Sequence, residues 1–98
     1  MNEVIKDYYL QNGFPVKLLE SKVRKLEEHK DILREFEMWV QNKEYCDANP
    51  VSVEGYTAKD LSQTYPMLNG DGAFMMLIAL RENPQSAVKM LKDGMKIK

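Results

Sequence analysis

The sequence contains few of the residues that build metal sites, disulfides or nucleophilic centres. It has one cysteine and one histidine, so no disulfide can form within the chain, and neither residue has a second thiolate or imidazole with which to share a metal. Asp47 follows Cys46, and its charge opposes formation of the thiolate, so we expect a buried or unreactive thiol. We expect His29, in a charged stretch, to be solvated. A nucleophilic pair would need the fold to bring Cys46 and His29 together. We predict no catalytic residue, metal ligand or cofactor, and hence no enzyme.

The chain also lacks a long apolar run and an excess of one charge. Its longest apolar run, residues 73–80, is far shorter than the roughly 20 residues that cross a bilayer. The 14 basic and 15 acidic residues give a net charge of −1, so no overall field attracts nucleic acid or an anionic membrane. Charged residues near the start leave no apolar signal-peptide core. With the lone cysteine, these features favour a cytoplasmic protein without membrane contact.

Acidic residues are numerous but alternate with basic ones along the predicted helices. Glu20 and Arg24, for example, are four residues apart on one helix face, which is typical of a solvated ion pair. Glu35 and Glu37 likewise alternate with lysine and arginine on polar helix faces. We expect all four side chains to be solvated.

The apolar run at residues 73–80 is the strongest signal present. A surface helix keeps roughly half of its circumference polar, so a helix of this composition must be surrounded by the rest of the domain or by a partner. Asn69 or Asp71 could cap its start. Asn83 followed by Pro84 would end it.

Apolar periodicity predicts helices in the first half of the chain. One apolar helix face is formed by Val4, Ile5, Tyr8 and Tyr9, and Asn12-Gly13 is a typical left-handed stop. A seam with heptad spacing follows and is interrupted at Lys30, where Asp31 could cap a new helix. We expect one helix at about 15–28 and a second ending near residue 43. One straight helix is the alternative, which periodicity does not exclude. The seam consists of Val16, Leu19, Val23, Leu26, Leu33 and Val40, flanked by Ile32, Phe36 and Trp39.

Turn residues divide the second half of the chain. The periodicity lapses over about 44–56, where residues 51–54 alternate like a short strand without a partner, so we expect a connector. Thr57 and Asp60 resemble a capping box that would start a short helix. Pro66 ends that helix. A final apolar stripe comes from Ala87, Val88 and Leu91.

These signals predict an all-α fold, a compact bundle of five or six short helices around the apolar helix near residues 72–82. The length of 98 residues is enough for one domain with one core. We expect N-terminal helices at about 2–43, the connector at about 44–56, and a C-terminal three-helix part at about 57–94.

Methionine is abundant, with seven in 98 residues, and most lie in the last third of the chain. Methionine fills irregular gaps in cores and also adapts to partners at interfaces, so both roles remain open. If the monomer does not cover Phe74, Met75 and Met76 together, the exposed apolar patch would mark a contact site. We then expect a protein partner or a homodimer, formed at tens of micromolar, with some of these three side chains near its centre.

The helices predicted at about 57–64 and 71–82 have the outline of a helix-turn-helix. That motif reads bases with the start of its second helix, but residues 71–75 offer no arginine, lysine, asparagine or glutamine. Nucleic-acid binding would need another basic surface, formed by Lys89, Lys92, Lys96 and Lys98. We therefore predict a small non-catalytic cytoplasmic protein, an interaction or accessory module. A helix-turn-helix-like nucleic-acid-binding regulator is the alternative.

Residues 53–58 and 72–84 resemble a family of small bacterial helical domains of Firmicutes type, whose function is unknown. The resemblance continues through Phe14-Pro15 and Asp31-Ile32 and covers nearly the whole chain. Similar sequences carry proline before the aspartate that matches Asp31, which agrees with a helix boundary there. This chain has lysine at that position. The resemblance implies no activity, ligand or catalytic residue.

Overall fold

Six α-helices form the part of the chain that a computed structural model describes, residues 3–94. A 3₁₀ turn at Pro66–Leu68 precedes α5, and a π-helical turn at Met90–Gly94 follows α6. The Cα radius of gyration is 13.1 Å, close to the about 13 Å expected of a compact domain of about 100 residues. The predicted all-α class is confirmed. The helices are α1 (Glu3–Gln11), α2 (Val16–Glu27), α3 (Lys30–Asn42), α4 (Ala58–Thr64), α5 (Asp71–Glu82) and α6 (Pro84–Lys89).

The apolar seam is divided between two helices and does not form one straight helix. α2 ends at Glu27, and His29, with φ −125° and ψ 74°, separates it from α3. Because α3 already begins at Lys30, Asp31 lies in its first turn and not at its cap. Its Oδ1 atom accepts a hydrogen bond of 2.9 Å from the N–H of Ile32. The predicted break is confirmed, whereas the prediction of Asp31 as the N-cap is wrong.

Most of the predicted seam residues are buried where α2 and α3 meet the other helices. Val16 is the exception, with 71% of its surface exposed. It is the first residue of α2, and side chains on a helix tilt toward its N-terminal end. Val40 and Trp39 are half-buried against the core. The fully buried seam residues are Leu19, Val23, Leu26, Ile32, Leu33 and Phe36.

The connector between α3 and α4 contains one tight turn, and no strand occurs in the described residues. Val53 and Tyr56 exchange two backbone hydrogen bonds of 2.9 Å each. Glu54 and Gly55 between them have positive φ angles of 52° and 83°, as in a two-residue hairpin turn. Thr57 then begins the capping box of α4.

The capping box has both of its reciprocal hydrogen bonds. The N–H of Asp60 donates to Thr57 Oγ1 at 3.1 Å, and the N–H of Thr57 donates to Asp60 Oδ2 at 3.4 Å. Aspartate therefore replaces the usual glutamate at the third helical position. The prediction of this helix start is confirmed.

α5 contacts α3, α4 and α6, and half of its 12 residues are buried. Gly70 is the N-cap residue, and no side chain in residues 3–94 caps the helix. Asp71 is the first helical residue, so the prediction of Asn69 or Asp71 as the cap is wrong. Like the other helices in residues 3–94, α5 lacks the length and apolar content needed to span a membrane.

Aromatic rings join α1, α3, α5 and the connector in the core. The rings of Phe36 and Phe74 stack with centroids 4.9 Å apart, and the ring of Tyr45 stacks on Phe74 at 5.7 Å. Tyr9 packs against Phe36 and donates a hydrogen bond of 3.1 Å to Asp71 Oδ2. Burial and the Asp71 charge both raise the pKa of Tyr9, so its hydroxyl stays protonated and holds α1 against the first turn of α5.

Candidate interaction surface

The predicted interface residues on α5 lie mostly inside the monomer. Phe74 is 1% exposed and Met76 is 7% exposed, whereas Met75 is half-buried. The rings of Phe36 and Tyr45 cover Phe74. The three side chains therefore do not form a common exposed patch, and only Met75 is partly open to a partner. That some of them lie near the centre of an interface stays a prediction.

A small hollow of about 150 Å³ lies between α5 and α6, beside the last of these three residues. Asn83 alone separates the two helices, because Pro84 is the first residue of α6. Small side chains on both helices leave the space open. We call this feature the methionine hollow. It is lined by Met76, Ala79, Asn83, Ser86, Ala87 and Met90.

The methionine hollow combines an apolar interior with an exposed methionine at its edge. Ala87 is buried and Ala79 half-buried, whereas Met90 is 49% exposed. An engineered apolar cavity of about 150 Å³ accepts a molecule of benzene, so this hollow has room for one large apolar side chain. The flexible thioethers of Met76 and Met90 can adjust to its shape. The site is suited to a side chain from another molecule.

Comparison with known proteins gives no indication of function, so we infer function from this geometry. The chain matches no protein-family model, no curated protein and no solved structure.

The predicted basic surface is only partly described. Lys89 and Lys92 are exposed and line a shallow cavity of about 490 Å³ together with Glu54 and Asp93. The acidic side chains offset the lysines, so the cavity has no excess of positive charge. Lys96 and Lys98 lie outside the described residues.

The helix-turn-helix outline is present in α4, the 3₁₀ turn and α5, but the second helix faces inward. The apolar residues from Ala73 to Leu80 are mostly buried. Arg81 and Glu82, at the end of the helix, are exposed and take part in ion pairs. α5 therefore offers no polar face at its start that could read bases.

His29 is not solvated as we expected, because its side chain is only 10% exposed. Its Nε2 atom lies 3.1 Å from Glu82 Oε2, and Arg81 Nη1 lies 3.4 Å from its Nδ1 atom. Lys25 Nζ also binds Glu82, at 3.0 Å. The hydrogen bonds from Lys25 and His29 lower the pKa of Glu82. Together, Lys25, His29, Arg81 and Glu82 form a polar cluster that joins the α2–α3 junction to the end of α5.

The same cluster places three metal-ligating groups together. Glu28, His29 and Glu82 can each present one ligand atom, and these atoms lie within 4.8 Å of one another. However, Lys25 already neutralises Glu82, and the Arg81 guanidinium faces the imidazole. Because nearby cations repel a metal ion, the geometry favours the ion pairs over a metal site.

Cys46 is half-buried in the connector, and its thiol donates to the carbonyl of Ala48 at 3.0 Å. The partners of His29 are Glu82 and Arg81 instead. Within the described residues, the two side chains do not form a nucleophilic pair.

Glu35 is a notable buried group that the sequence did not indicate. We expected a solvated carboxylate, but the side chain is on the inner face of α3 and the residue is 7% exposed. Its Oε2 atom accepts a hydrogen bond from the backbone N–H of Val51 in the connector. Burial raises the pKa of Glu35 because the charged form loses solvation. The charge alternation around Glu35 contains no signal for this contact, since Val51 is 16 residues away.

Proposed function

We propose that the protein is a non-catalytic interaction module that self-associates through the methionine hollow. The observation that carries the proposal is the exposed Met90 beside an apolar space that fits one such side chain. A large apolar side chain that is half in water gains free energy when a partner covers it. Met90 is therefore a projecting side chain and the hollow a recess, and both lie on one surface.

A two-fold symmetric dimer would use both parts at once. In such a dimer the same patch of each copy meets the other, so Met90 of either copy can enter the hollow of its partner. Ala79 and Ala87 allow close approach because they have small side chains. The net charge of −1 provides little repulsion between copies. Because the contact is small, we expect association at tens of micromolar, which corresponds to about −6 kcal/mol.

A cytoplasmic location is part of the same proposal. The only cysteine is a free thiol in the structure, which suits a reducing compartment. A different protein with an exposed apolar side chain is the other occupant of the hollow that this geometry accommodates.

Size-exclusion chromatography with light scattering tests self-association over a range of concentrations. The wild-type mass should rise from 11.4 kDa toward twice that value. Met90→Lys should remain monomeric, because its charge would have to enter the hollow. Met67→Lys is the matched control, since Met67 is 57% exposed on the separate 3₁₀ turn, and it should behave as the wild type. A wild-type protein that stays monomeric at its highest soluble concentration would overturn the dimer.

Nucleic-acid binding is the alternative function, and exposed Lys89 and Lys92 are the cations that would contact phosphate, although Glu54 and Asp93 beside them offset their charge. A gel-shift titration with mixed duplex DNA at several salt concentrations distinguishes it from the proposal. Binding that weakens steeply with salt indicates phosphate contacts. If replacing both lysines by glutamine abolished such binding, the alternative would replace the interaction module.

A further inference from the structure

Another cavity, larger than the methionine hollow, lies between α3 and the connector. Its volume is about 590 Å³, within the range of about 300–1,000 Å³ that is typical of small-molecule sites. We call it the Glu35 cleft. Its lining includes Glu35 and Met38 from α3, Ala48 and Val51 from the connector, and the exposed cations Lys30 and Arg34.

Among residues 3–94, the Glu35 carboxylate has fewer hydrogen-bond donors around it than it can use. The group can accept about four hydrogen bonds, and the N–H of Val51 supplies one of them. Buried carboxylates are almost always paired, and burial raises the pKa of this one. A protonated amine in the cleft would supply donors and charge together, which would favour the ionised form.

The cleft also has positive side chains, Lys30 and Arg34, that could bind an anionic group. Lys30 and Arg34 form no ion pair within the part of the chain that the structure describes. Asp31 also borders the cleft, but both of its oxygens bind the Arg81 guanidinium. One buried carboxylate therefore lies along the same cavity as two cations that have no ion pair in residues 3–94.

The remaining lining is apolar. Met38 is 41% exposed and Val51 is half-buried, and the methyl group of Ala48 adds to the same wall. These side chains can pack against an aliphatic group, which would be covered as it leaves water.

We propose that the Glu35 cleft binds a small zwitterion, a free amino acid with an aliphatic side chain. The ammonium group of the ligand binds Glu35, and its carboxylate binds Arg34 and Lys30. Its side chain packs on Met38 and Val51. This site is separate from the methionine hollow, so its test is independent of the self-association test.

Three related compounds test which groups the cleft recognises. The probes are L-leucine, 3-methylbutylamine, which lacks the carboxylate, and 4-methylpentanoate, which lacks the amine. In ¹H–¹⁵N NMR titrations, L-leucine should shift the Val51 amide signal saturably. Each truncated compound should bind about tenfold more weakly or worse, because each loses one charge-assisted contact. Equal binding of 3-methylbutylamine would overturn the assignment of the cations, and equal binding of 4-methylpentanoate would overturn that of Glu35.

Variants then separate a binding role of Glu35 from a structural one. Glu35→Gln keeps an acceptor for the Val51 N–H but removes the charge, and it should weaken L-leucine binding about tenfold or more. Arg34→Gln should weaken L-leucine but leave 3-methylbutylamine unchanged. Arg24→Gln, an exposed change on α2, is the control and should bind as the wild type. No saturable shift of Val51 with L-leucine, or unchanged affinity in Glu35→Gln, would overturn the proposal.

Discussion

Arg81 and Asp31 form an ion pair with two hydrogen bonds, although they are 50 residues apart in the chain. Arg81 Nη1 donates to Asp31 Oδ1 at 2.9 Å, and Nη2 donates to Oδ2 at 2.7 Å. The pair joins the first turn of α3 to the last turn of α5. The Arg81 guanidinium lowers the pKa of Asp31 to about 2.

This ion pair makes a pH-dependent contribution to stability. Since the folded pKa of Asp31 is below the unfolded value of about 3.9, its stabilisation is present above that value and is lost as the pH falls toward 2. The Asp31 side chain is 50% exposed, so solvent screening limits the contribution to about 1 kcal/mol or less. Urea denaturation should find Asp31→Asn less stable than wild type at pH 7, with the difference vanishing near pH 2. Asp7→Asn is the control, because Asp7 is exposed on α1. An equal loss at both pH values would contradict this origin.

Glu35 should have the opposite pH dependence. The pKa of Glu35 is raised in the folded state, so folding favours the protonated carboxyl. The folded protein therefore loses stability, relative to the unfolded chain, as the pH rises through the folded pKa and the buried group ionises. Glu35→Gln keeps an acceptor for the Val51 N–H without the buried charge. It should therefore be more stable than wild type at pH 7, and the two should converge below about pH 4. Chemical denaturation at both pH values measures this, with Glu3→Gln as the exposed control. A Glu35→Gln variant that is less stable at pH 7 would show that the ionised carboxylate is stabilising.

Leu77 is a direct test of the core around α5. It is fully buried, with 0% exposure, so Leu77→Ala should lower the free energy of unfolding by about 2–5 kcal/mol. Met67→Ala is the comparison, since Met67 is 57% exposed and should change stability by no more than about 0.5 kcal/mol. A loss below about 1 kcal/mol for Leu77→Ala in urea denaturation would contradict its place in the core.

Two glycines with positive φ should respond differently to alanine. Gly70 has φ 85° and ψ −135°, a region open essentially to glycine alone, and alanine there should cost about 1–3 kcal/mol. A Cβ atom at Gly70 would also lie 3.3 Å from Trp39 Cη2 and 3.3 Å from Tyr8 Oη, whereas one at Gly13 would meet nothing within 4 Å. Thermal denaturation should therefore show a larger loss for Gly70→Ala than for Gly13→Ala. Equal losses would mean that backbone strain alone acts at both sites.

The boundaries of the helices could be predicted because their signals are local. The capping box of Thr57 and Asp60 acts within one helical turn. Pro84 begins α6 because its ring fixes a helical φ angle, and because the first helical position does not need the N–H that proline lacks. The break before α3 was also visible as a polar interruption of the seam. By contrast, the cap prediction at Asp31 was wrong by two residues, since His29 is the N-cap of α3, and the one at Asp71 was wrong by one, since Gly70 is the N-cap of α5. Both carboxylates instead bind side chains far away in the chain, those of Arg81 and Tyr9.

The sequence by itself determined which segments are helical and which faces are apolar, since both depend on periodicity over a few turns. Only the tertiary structure decided how much of each face is covered. Phe74 is enclosed by rings from α3 and the connector, Glu35 is buried beneath Val51, and the hollow beside Met90 exists because α5 and α6 meet along small side chains. Periodicity carries no information about these contacts, because coverage depends on the side chains that distant segments bring to the same place.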